Sequence, residues 1–517
     1  MLLSKNLTGP VVLISKDISF TFPFGYAYLA GYLKEKGINA IVEFRPENSR
    51  QYNEFARKII NMKPLLVGFG SIYPDLYHAK DIIKIFDEEG REFPVVVGGQ
   101  MVTPIPEFAV EITGADYGVV GEGEIILYEL VNALQNDEVP SHVKGLIIRD
   151  GSDITSTGAG ECIYDLTELP EIPYELFPEK KWISIGRFYT DKAQPHWRFN
   201  DRVIAIHGGR GCPYRCNFCY HHNKPRYRPI SFMIEEAERL LYRYNANMLY
   251  FGDDLVIASS KRARELVEGI RNIGRPVSYS ISCRFNVLAR IDDGLLREMK
   301  ETGCRIMGLG IESGSQRILD LMHKKVTVDQ IVTGLRRLKD VGILPTVSIM
   351  VGQYTETPED FKESMDLMVE SVRYNKNIQY AFTITTPYPG SELYDIAFQK
   401  GLLKSHLDFF DKYNPYTDLL GVTVNLSNMS DEDVMEGRIK LERTYMEEKS
   451  RQLSSSVVRV ENSRKILKRM DDILHSRLFN RLPSNIVFNS TQKTYKNIYN
   501  SIQSKLDKKR LDLLGLS

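Results

Sequence analysis

The chain alternates short apolar runs with helical patterns in two separate series, and this alternation restricts the folds that it can adopt. The first series predicts strands at Val11–Ser15, Ala40–Glu43, Leu65–Gly70, Pro94–Val97 and Tyr117–Val120. The second predicts strands at Val203–His207, Met248–Phe251, Ser278–Cys283, Arg305–Gly310, Thr346–Val351 and Tyr380–Thr385. Strands that alternate with helices pair in parallel with right-handed crossovers. The sequence therefore predicts an α/β protein with two parallel sheets.

These patterns divide the chain into four expected regions. Residues 1–150 are predicted to form a Rossmann-like, doubly wound domain, with ligands at the glycine-tipped carboxyl ends of its strands. Residues 151–200 read as a linker, because prolines between 165 and 173 exclude a helix there. Residues 201–430 predict a partial (β/α)6, TIM-like barrel whose chemistry lies at its carboxyl-terminal rim. Residues 431–517 are expected to be mainly helical and basic.

Composition narrows the class of protein. The chain has 67 basic and 67 acidic residues, so its overall charge gives no reason to expect a nucleic-acid partner. Six cysteines in 517 residues do not make a disulfide framework, and the start lacks the pattern of a signal peptide. No apolar run approaches the ~20 residues of a membrane span. We expect a cytoplasmic, water-soluble enzyme without a transmembrane segment.

The C-terminal region leaves two interpretations open. From Lys449 onwards, basic residues outnumber acidic ones by roughly ten. Such a segment is a solvated helical surface, or it is a surface for an anionic substrate or for peripheral contact with a membrane.

Three cysteines within eight residues, Cys212, Cys216 and Cys219, offer thiolates at CxxxCxxC spacing. A structural zinc site closes its tetrahedron with four protein ligands. A cubane iron–sulfur cluster normally takes four cysteines. Three ligands would leave one iron open to a small molecule, so this triplet favours a reaction centre over a structural metal site.

The segment Cys212-Pro-Tyr-Arg-Cys216-Asn-Phe218-Cys219 resembles the cluster loop of the radical S-adenosylmethionine (SAM) enzymes, and it follows the first strand of the second series. The resemblance implies that the three thiolates hold a 4Fe–4S cluster whose fourth iron is chelated by SAM. It also implies that Phe218 packs against the adenine. Reductive cleavage of SAM would give a 5′-deoxyadenosyl radical, with electrons from an external one-electron reductant of the flavodoxin or ferredoxin type.

The next predicted strand of the barrel ends in Gly252-Asp253-Asp254, where the family places polar groups that face the SAM amino group. Either aspartate could accept a charge-assisted hydrogen bond from that ammonium. The alternative is that one of them caps the following helix.

Two further barrel segments match family patterns. Arg284, in Ser280-Ile-Ser-Cys-Arg-Phe-Asn286, is the candidate partner of a carboxylate, with a surface salt bridge as the alternative. Glu312 and Ser313 lie in a GxExGS-like strand end, Gly308-Leu-Gly-Ile-Glu-Ser-Gly. The resemblance implies that Glu312 binds ribose hydroxyls, and the alternative is a buried structural role.

A doubly wound domain directly before such a barrel resembles the cobalamin-binding radical SAM enzymes. The motifs are Val95-Val-Val-Gly98-Gly99 and Gly121-Glu122-Gly-Glu, each at a strand end. The resemblance implies that Gly98 and Gly99 let backbone approach the corrin or its nucleotide tail, as glycine allows. Gly121 and Glu122 are expected at the same rim.

The histidine motif DxHxxG of other cobalamin proteins has no match, since the nearest segment, Asp75-Leu-Tyr-His78, has the wrong spacing. We therefore predict cobalamin bound without a lower histidine ligand. The loop from Ser71 through Tyr73 to Asp75 would face the cobalt, and His78 would lie on the following helix. The alternative is a scaffold domain that binds no cobalamin.

Together, these cofactors imply radical chemistry at an unactivated carbon or a phosphinate centre. The substrate would be a small or lipid-like molecule that takes its methyl group from methylcobalamin. An oxidative cyclase or ring-rearranging enzyme without net methyl transfer is the alternative. A methylthiotransferase is set aside because no cysteine precedes Cys162. A cobalamin sensor without catalysis would leave the cysteine triplet without a role. No catalytic acid–base residue is predicted.

Overall fold

The computed structural model describes residues 9–16, 22–178, 182–183, 198, 200–221, 224–413, 421–452 and a few positions between 502 and 509. It contains two large sheets, one in each half of the described chain, and the α/β class predicted from sequence is confirmed. No helix in these residues is both long enough and apolar enough to cross a membrane.

The first sheet has seven strands in the order β2-β1-β3-β4-β5-β6-β7. Its strands are β1 Val11–Lys16, β2 Ala40–Arg45, β3 Leu66–Ser71, β4 Val95–Gly99, β5 Tyr117–Val119, β6 Leu146–Asp150 and β7 Asp153–Ser156. The helices of this half are α1 Phe24–Glu35, α2 Tyr52–Asn61, α3 Asp75–Glu88, α4 Pro106–Thr113 and α5 Gly123–Gln135. The buried runs of Val, Ile and Leu in β1, β3 and β4 are typical of parallel strands covered on both faces.

All five predicted strands of the Rossmann-like sheet are present and parallel. The chain order reverses between β1 and β3, which is the point where open α/β sheets bind ligands. The sheet is larger than expected, since β6 and β7 extend it as antiparallel strands. β7 lies within the predicted linker, and the boundaries of the four regions stay predictions.

The second sheet has six parallel strands in the order β8-β11-β12-β13-β14-β15, with β8 and β15 as its edges. These are β8 Val203–Ile206, β11 Met248–Phe251, β12 Ser278–Cys283, β13 Cys304–Glu312, β14 Leu344–Val351 and β15 Gln379–Ile384. Between β8 and β11, a short antiparallel ribbon pairs β9 Gly209–Arg210 with β10 Arg226–Tyr227. The predicted open (β/α)6 barrel is therefore confirmed.

The remaining helices alternate with these strands or follow them. They are α6 Ile230–Arg243, α7 Ser260–Asn272, α8 Phe285–Leu288, α9 Asp293–Glu301, α10 Gln316–Leu321, α11 Val328–Val341, α12 Pro358–Tyr374, α13 Glu392–Gln399, α14 His406–Lys412 and α15 Asp431–Gln452. α15 packs against β15, where the Tyr445 hydroxyl donates to the carbonyl of Ile378. The sequence also predicts a helix at residues 460–473, and this segment lies outside the described residues.

Candidate active site between the two sheets

The cysteine loop leaves the barrel directly after β8, and neighbouring elements hold it in place. The backbone N–H of Asn217 donates to the carbonyl of Met322, and the N–H of Leu393 donates to the carbonyl of Asn217. Within the loop, the N–H of Cys219 donates to the carbonyl of Cys216. Cys216 is buried, and all three cysteines of the loop are free thiols. The loop therefore presents its thiols at the carboxyl-terminal rim of the barrel.

The donor set of the loop consists of three thiols, the ligands that iron–sulfur clusters use. Among the described residues, no group of three His, Cys, Asp or Glu side chains is arranged to hold one metal ion. A cubane distributes its cysteine ligands over separate irons, so its ligands need not converge on one point. Burial raises the pKa of Cys219 to about 12. Such a thiol becomes a thiolate when a metal ion replaces its proton.

Two cations lie beside these thiols. The Arg284 guanidinium stacks 3.8 Å from the ring centre of Tyr214, and its Nη1 is 3.6 Å from Sγ of Cys216. The Lys324 ammonium lies 5.6 Å from the ring centre of Phe218. Three thiolates carry negative charge into a partly buried site, and nearby cations offset the cost of that charge. Arg284 forms no ion pair with any described carboxylate, so the predicted alternative of a surface salt bridge does not apply.

Asp253 is a buried hydrogen-bond acceptor at the carboxyl-terminal rim of the barrel. It is 6% exposed, and its Oδ1 accepts the backbone N–H groups of Gly208 and Gly209 at 2.5 and 2.6 Å. Its Oδ2 is buried without a protein partner. An unpartnered buried acceptor is costly, so this atom fits the SAM ammonium predicted for it. Neither aspartate of the pair caps α7, because Ser259 does so.

We expect replacement of Asp253 with asparagine to flatten the pH dependence of stability between about pH 4 and pH 7. Burial raises the pKa of Asp253 to about 7, so the folded chain holds a proton that an unfolded aspartate, with a pKa of about 3.9, has released. The free energy of unfolding of the unmodified chain therefore falls as pH rises through this window. Asparagine cannot ionise and removes this contribution.

Thermal unfolding of the cluster-free chain at about pH 5 and about pH 7.5 measures this effect. The exposed neighbour Asp254 provides the matched control, and Asp254→Asn is expected to keep the pH dependence of the unmodified chain. Equal pH dependence in Asp253→Asn and the unmodified chain would show that Asp253 is already ionised when folded.

Glu312 ends β13 in a left-handed conformation, with φ of 65°. Its carboxylate is 2.7 Å from the Lys324 ammonium and accepts a hydrogen bond from the Ser348 hydroxyl at 2.8 Å. Strained backbone of this kind costs about 1–3 kcal/mol and concentrates at functional sites. Both carboxylate oxygens have protein partners, so the predicted contact with ribose stays a prediction.

Two other predicted SAM contacts, Ser313 and Gly252, pack against other residues of the protein. Ser313 is fully buried, and its hydroxyl meets that of Ser364 at 3.2 Å. A Cβ at Gly252 would lie 2.3 Å from the ring of Phe24, which comes from the first half of the chain. Gly252 thus permits the two halves to pack closely. Neither Gly252 nor Ser313 lines the cavity described next.

A cavity of about 470 Å³ lies where the carboxyl ends of both sheets meet. This volume falls in the range of about 300–1,000 Å³ that is usual for cofactor sites. Five of the predicted cofactor contacts line it together with Asp254: Ser71, Gly98, Gly99, Gly121 and Glu122. A Cβ at Gly121, whose φ is 96°, would meet no atom within 4 Å. The glycine-tipped strand ends thus leave open space of the kind that a large cofactor needs.

Tyr73, another predicted cofactor contact, lies outside this cavity. It is 4% exposed and packs against the rings of Tyr388, Phe409 and Tyr413, so it belongs to an aromatic cluster and does not line the cavity. His78 lies on α3, as predicted, and its Nδ1 is 2.8 Å from the Tyr52 hydroxyl. His78 is not among the cavity residues either, and the absence of a lower histidine ligand to cobalamin stays a prediction.

Most of the cavity residues were not predicted from the sequence, among them Phe24, Tyr28, His207, Arg210 and Arg226. The His207 ring lies 5.0 Å from that of Phe24 and 5.7 Å from that of Tyr28, and burial lowers the pKa of His207 to about 3. The available signals were Arg210, two residues before the first cysteine, and His207, which ends the predicted strand before the cysteine loop. Phe24 and Tyr28 come from a distant segment that no local pattern connects to this loop.

Two family models match the chain in the order that the two sheets follow. The model described as a B12 binding domain matches residues 11–131. The model described as the radical SAM superfamily matches residues 206–368, which include the three cysteines.

Curated relatives span both matched regions. An "uncharacterized methyltransferase" of Pyrococcus horikoshii is 29% identical over 387 residues, which cover 74% of this chain and 79% of the relative. The anaerobic magnesium-protoporphyrin IX monomethyl ester cyclase of Rubrivivax gelatinosus is 27% identical over 408 residues, 77% of this chain and 69% of that one.

A solved structure shares the fold. The apo form of the cobalamin-dependent SAM radical enzyme OxsB superposes with a TM-score of 0.63 at 16% identity, covering 97% of this chain and 72% of that one. The cysteine loop and the unpartnered acceptor Asp253 agree with the radical SAM model. The glycine-lined cavity agrees with the B12-binding model. The chain therefore belongs to the cobalamin-binding radical SAM enzymes, whose cofactors are a 4Fe–4S cluster, SAM and cobalamin.

Proposed function

We propose that the protein methylates an unactivated carbon, or a phosphinate centre, of a small or lipid-like molecule. The observation that carries this proposal is the position of the cavity. One wall consists of the strand ends of the B12-binding region, and the other includes His207, Arg210 and Asp254 next to the cysteine loop and β11. Two cofactor sites that open on one space can act on one substrate.

When bound, the cluster and SAM supply the 5′-deoxyadenosyl radical, and cobalamin supplies the methyl group. Cys212, Cys216 and Cys219 would hold the cluster, and Asp253 would orient the SAM ammonium through its free oxygen. The apolar walls, including Phe24 and Leu127, keep water from the reacting atoms. Exclusion of water protects a reactive intermediate from side reactions.

Methylation is favoured over cyclisation by the relatives' names. The Pyrococcus relative is called a methyltransferase, and its identity is slightly higher than that of the cyclase. The second candidate function is a ring cyclase without net methyl transfer. We further propose an external one-electron reductant of the flavodoxin or ferredoxin type and a cytoplasmic location.

The test is anaerobic reconstitution of the full chain with iron, sulfide and hydroxocobalamin, followed by reaction with methyl-labelled SAM and a chemical reductant. Methylation predicts two products of SAM, deoxyadenosine and S-adenosylhomocysteine, with labelled methyl recovered on the bound corrinoid. Cyclisation predicts deoxyadenosine without label on the corrinoid. A reconstituted chain that forms no deoxyadenosine would contradict both functions.

A further inference from the structure

The base of the cluster loop is closed by two arginines that lie side by side. In the antiparallel ribbon, Arg226 of β10 is the direct partner of Arg210 of β9. All three cysteines lie between these two residues in the sequence. Like charges directly opposite each other destabilise a strand pair, so this ribbon needs acidic partners from outside the barrel.

Glu122, from the first half of the chain, supplies the acid that both arginines share. Its Oε2 accepts from Nη1 of Arg210 at 2.7 Å and from Nη1 of Arg226 at 3.3 Å. Its Oε1 accepts from Nη2 of Arg226. Glu124 adds a second contact, to Nη2 of Arg210 at 2.5 Å. Of these two glutamates, Glu122 thus contacts both strands of the ribbon and Glu124 contacts one.

The network is largely buried. The four side chains are between 5% and 16% exposed. Burial alone would raise the pKa of Glu122, but the hydrogen bonds and charges of Arg226 and Arg210 outweigh it and hold that pKa below its usual range. Removing one partner of a buried ion pair leaves an uncompensated charge. The pairing of β9 with β10 therefore depends on Glu122 more than it would if the ribbon were exposed to solvent.

The same segment forms part of the cavity. Glu122 and its two neighbours, Gly121 and Gly123, all line it, as do both arginines. The Gly121 backbone N–H donates to the hydroxyl of Thr103, another cavity residue, at 3.0 Å. A shift of this segment on filling the cavity would therefore reach the ribbon through the carboxylates of Glu122 and Glu124, of which only that of Glu122 contacts both strands.

We propose that Glu122 is a positioning residue that couples the cobalamin cavity to the cluster loop. It was expected from sequence to contact the cofactor, whereas its carboxylate is taken up by the two arginines. The inference rests on the proposed function, because it requires both cofactors on one chain. Glu122 keeps the base of the cluster loop in register with the cavity wall, so each loaded site favours the bound geometry of the other.

Coupling of this kind is reciprocal and measurable without turnover. Couplings between protein sites typically amount to about 5- to 150-fold in affinity. We expect the full chain to bind hydroxocobalamin at least about fivefold more tightly with the cluster reconstituted than without it. In Glu122→Gln, the ratio of the two dissociation constants is expected to fall to about 1.

Arg226→Gln provides a second variant, since it removes the partner on the barrel side and leaves Glu122 in the cavity wall. The ratio of the two dissociation constants should fall to the same extent in Glu122→Gln, in Arg226→Gln and in the variant that carries both changes. Equal effects of this kind are expected for two residues of one interaction. The matched control is Glu89→Gln, which removes an exposed ion pair with Arg57 of 2.8 Å and should keep the ratio of the unmodified chain.

Absorbance spectra of the bound corrinoid give the dissociation constants, and thermal unfolding separates positioning from stability. A purely structural role would lower the melting temperature of Glu122→Gln and leave the ratio unchanged, and that result would overturn the inference. A ratio of about 1 in the unmodified chain would overturn it too. If the unmodified chain bound no corrinoid at all, the proposed function would fail together with it.

Discussion

A chain with alanine at Cys212, Cys216 and Cys219 is expected to lose its cluster absorbance and its capacity to form deoxyadenosine. Removing even a residue that supports a metal ligand typically costs about 10- to 100-fold in metal affinity or activity. Loss of all three ligands should exceed that, so we expect deoxyadenosine formation to fall by more than about 1,000-fold. Absorbance after anaerobic reconstitution and chromatography of the SAM products measure the two losses.

The same variant should still bind hydroxocobalamin, because the cavity is lined mainly by residues outside the cysteine loop. Its affinity should match that of the cluster-free unmodified chain. The matched control is Cys162→Ala, a free cysteine outside the loop, which is expected to keep both the cluster and the activity. Cluster absorbance that survives in the triple variant would show that other residues ligate the iron.

Strand positions were predictable because each is marked by a local pattern. The predicted and observed bounds of Met248–Phe251 and Ser278–Cys283 are identical. The first is a short apolar run, and the second alternates serine with larger side chains, so both carry a local strand pattern between helical patterns. The antiparallel pair at the edge of the first sheet was missed, although Gly151-Ser152 is a good two-residue hairpin turn and Gly151 has a φ of 63°.

The site was predictable only where one segment carries the chemistry. The cysteines lie within one loop, and the glycines of the cavity lie at strand ends that the alternation locates. The packing of Phe24 against Gly252 and the ion pairs of Glu122 join residues roughly a hundred or more positions apart. Such contacts depend on how the two sheets meet, which no local pattern specifies. Charge and glycine content therefore placed Glu122 at the cavity rim, but they could not reveal its ion pairs with Arg210 and Arg226.

A bulky side chain at Gly98, on the strand side of the cavity, is the second change for which we expect a large effect, here on hydroxocobalamin binding. Gly98 lies on β4 and lines the cavity together with Val96, which points to the same face of the strand. A Cβ at Gly98 would make an ordinary contact, 3.5 Å from Cβ of Val119. The remaining atoms of a leucine would have to occupy space that the cofactor needs.

Overpacking costs about 1–3 kcal/mol, so Gly98→Leu is expected to weaken hydroxocobalamin binding by about 10- to 100-fold. Cluster reconstitution should be unaffected, since the atoms nearest to an added Cβ at Gly98 belong to Val119 and not to the cysteine loop. The matched control is Gly274→Leu, an exposed turn of the barrel half where the nearest atom to an added Cβ is the Tyr242 hydroxyl at 3.5 Å. This variant adds the same side chain away from the cavity and should bind the corrinoid as the unmodified chain does. Equal affinities of the two variants would place the corrinoid outside the glycine-lined rim.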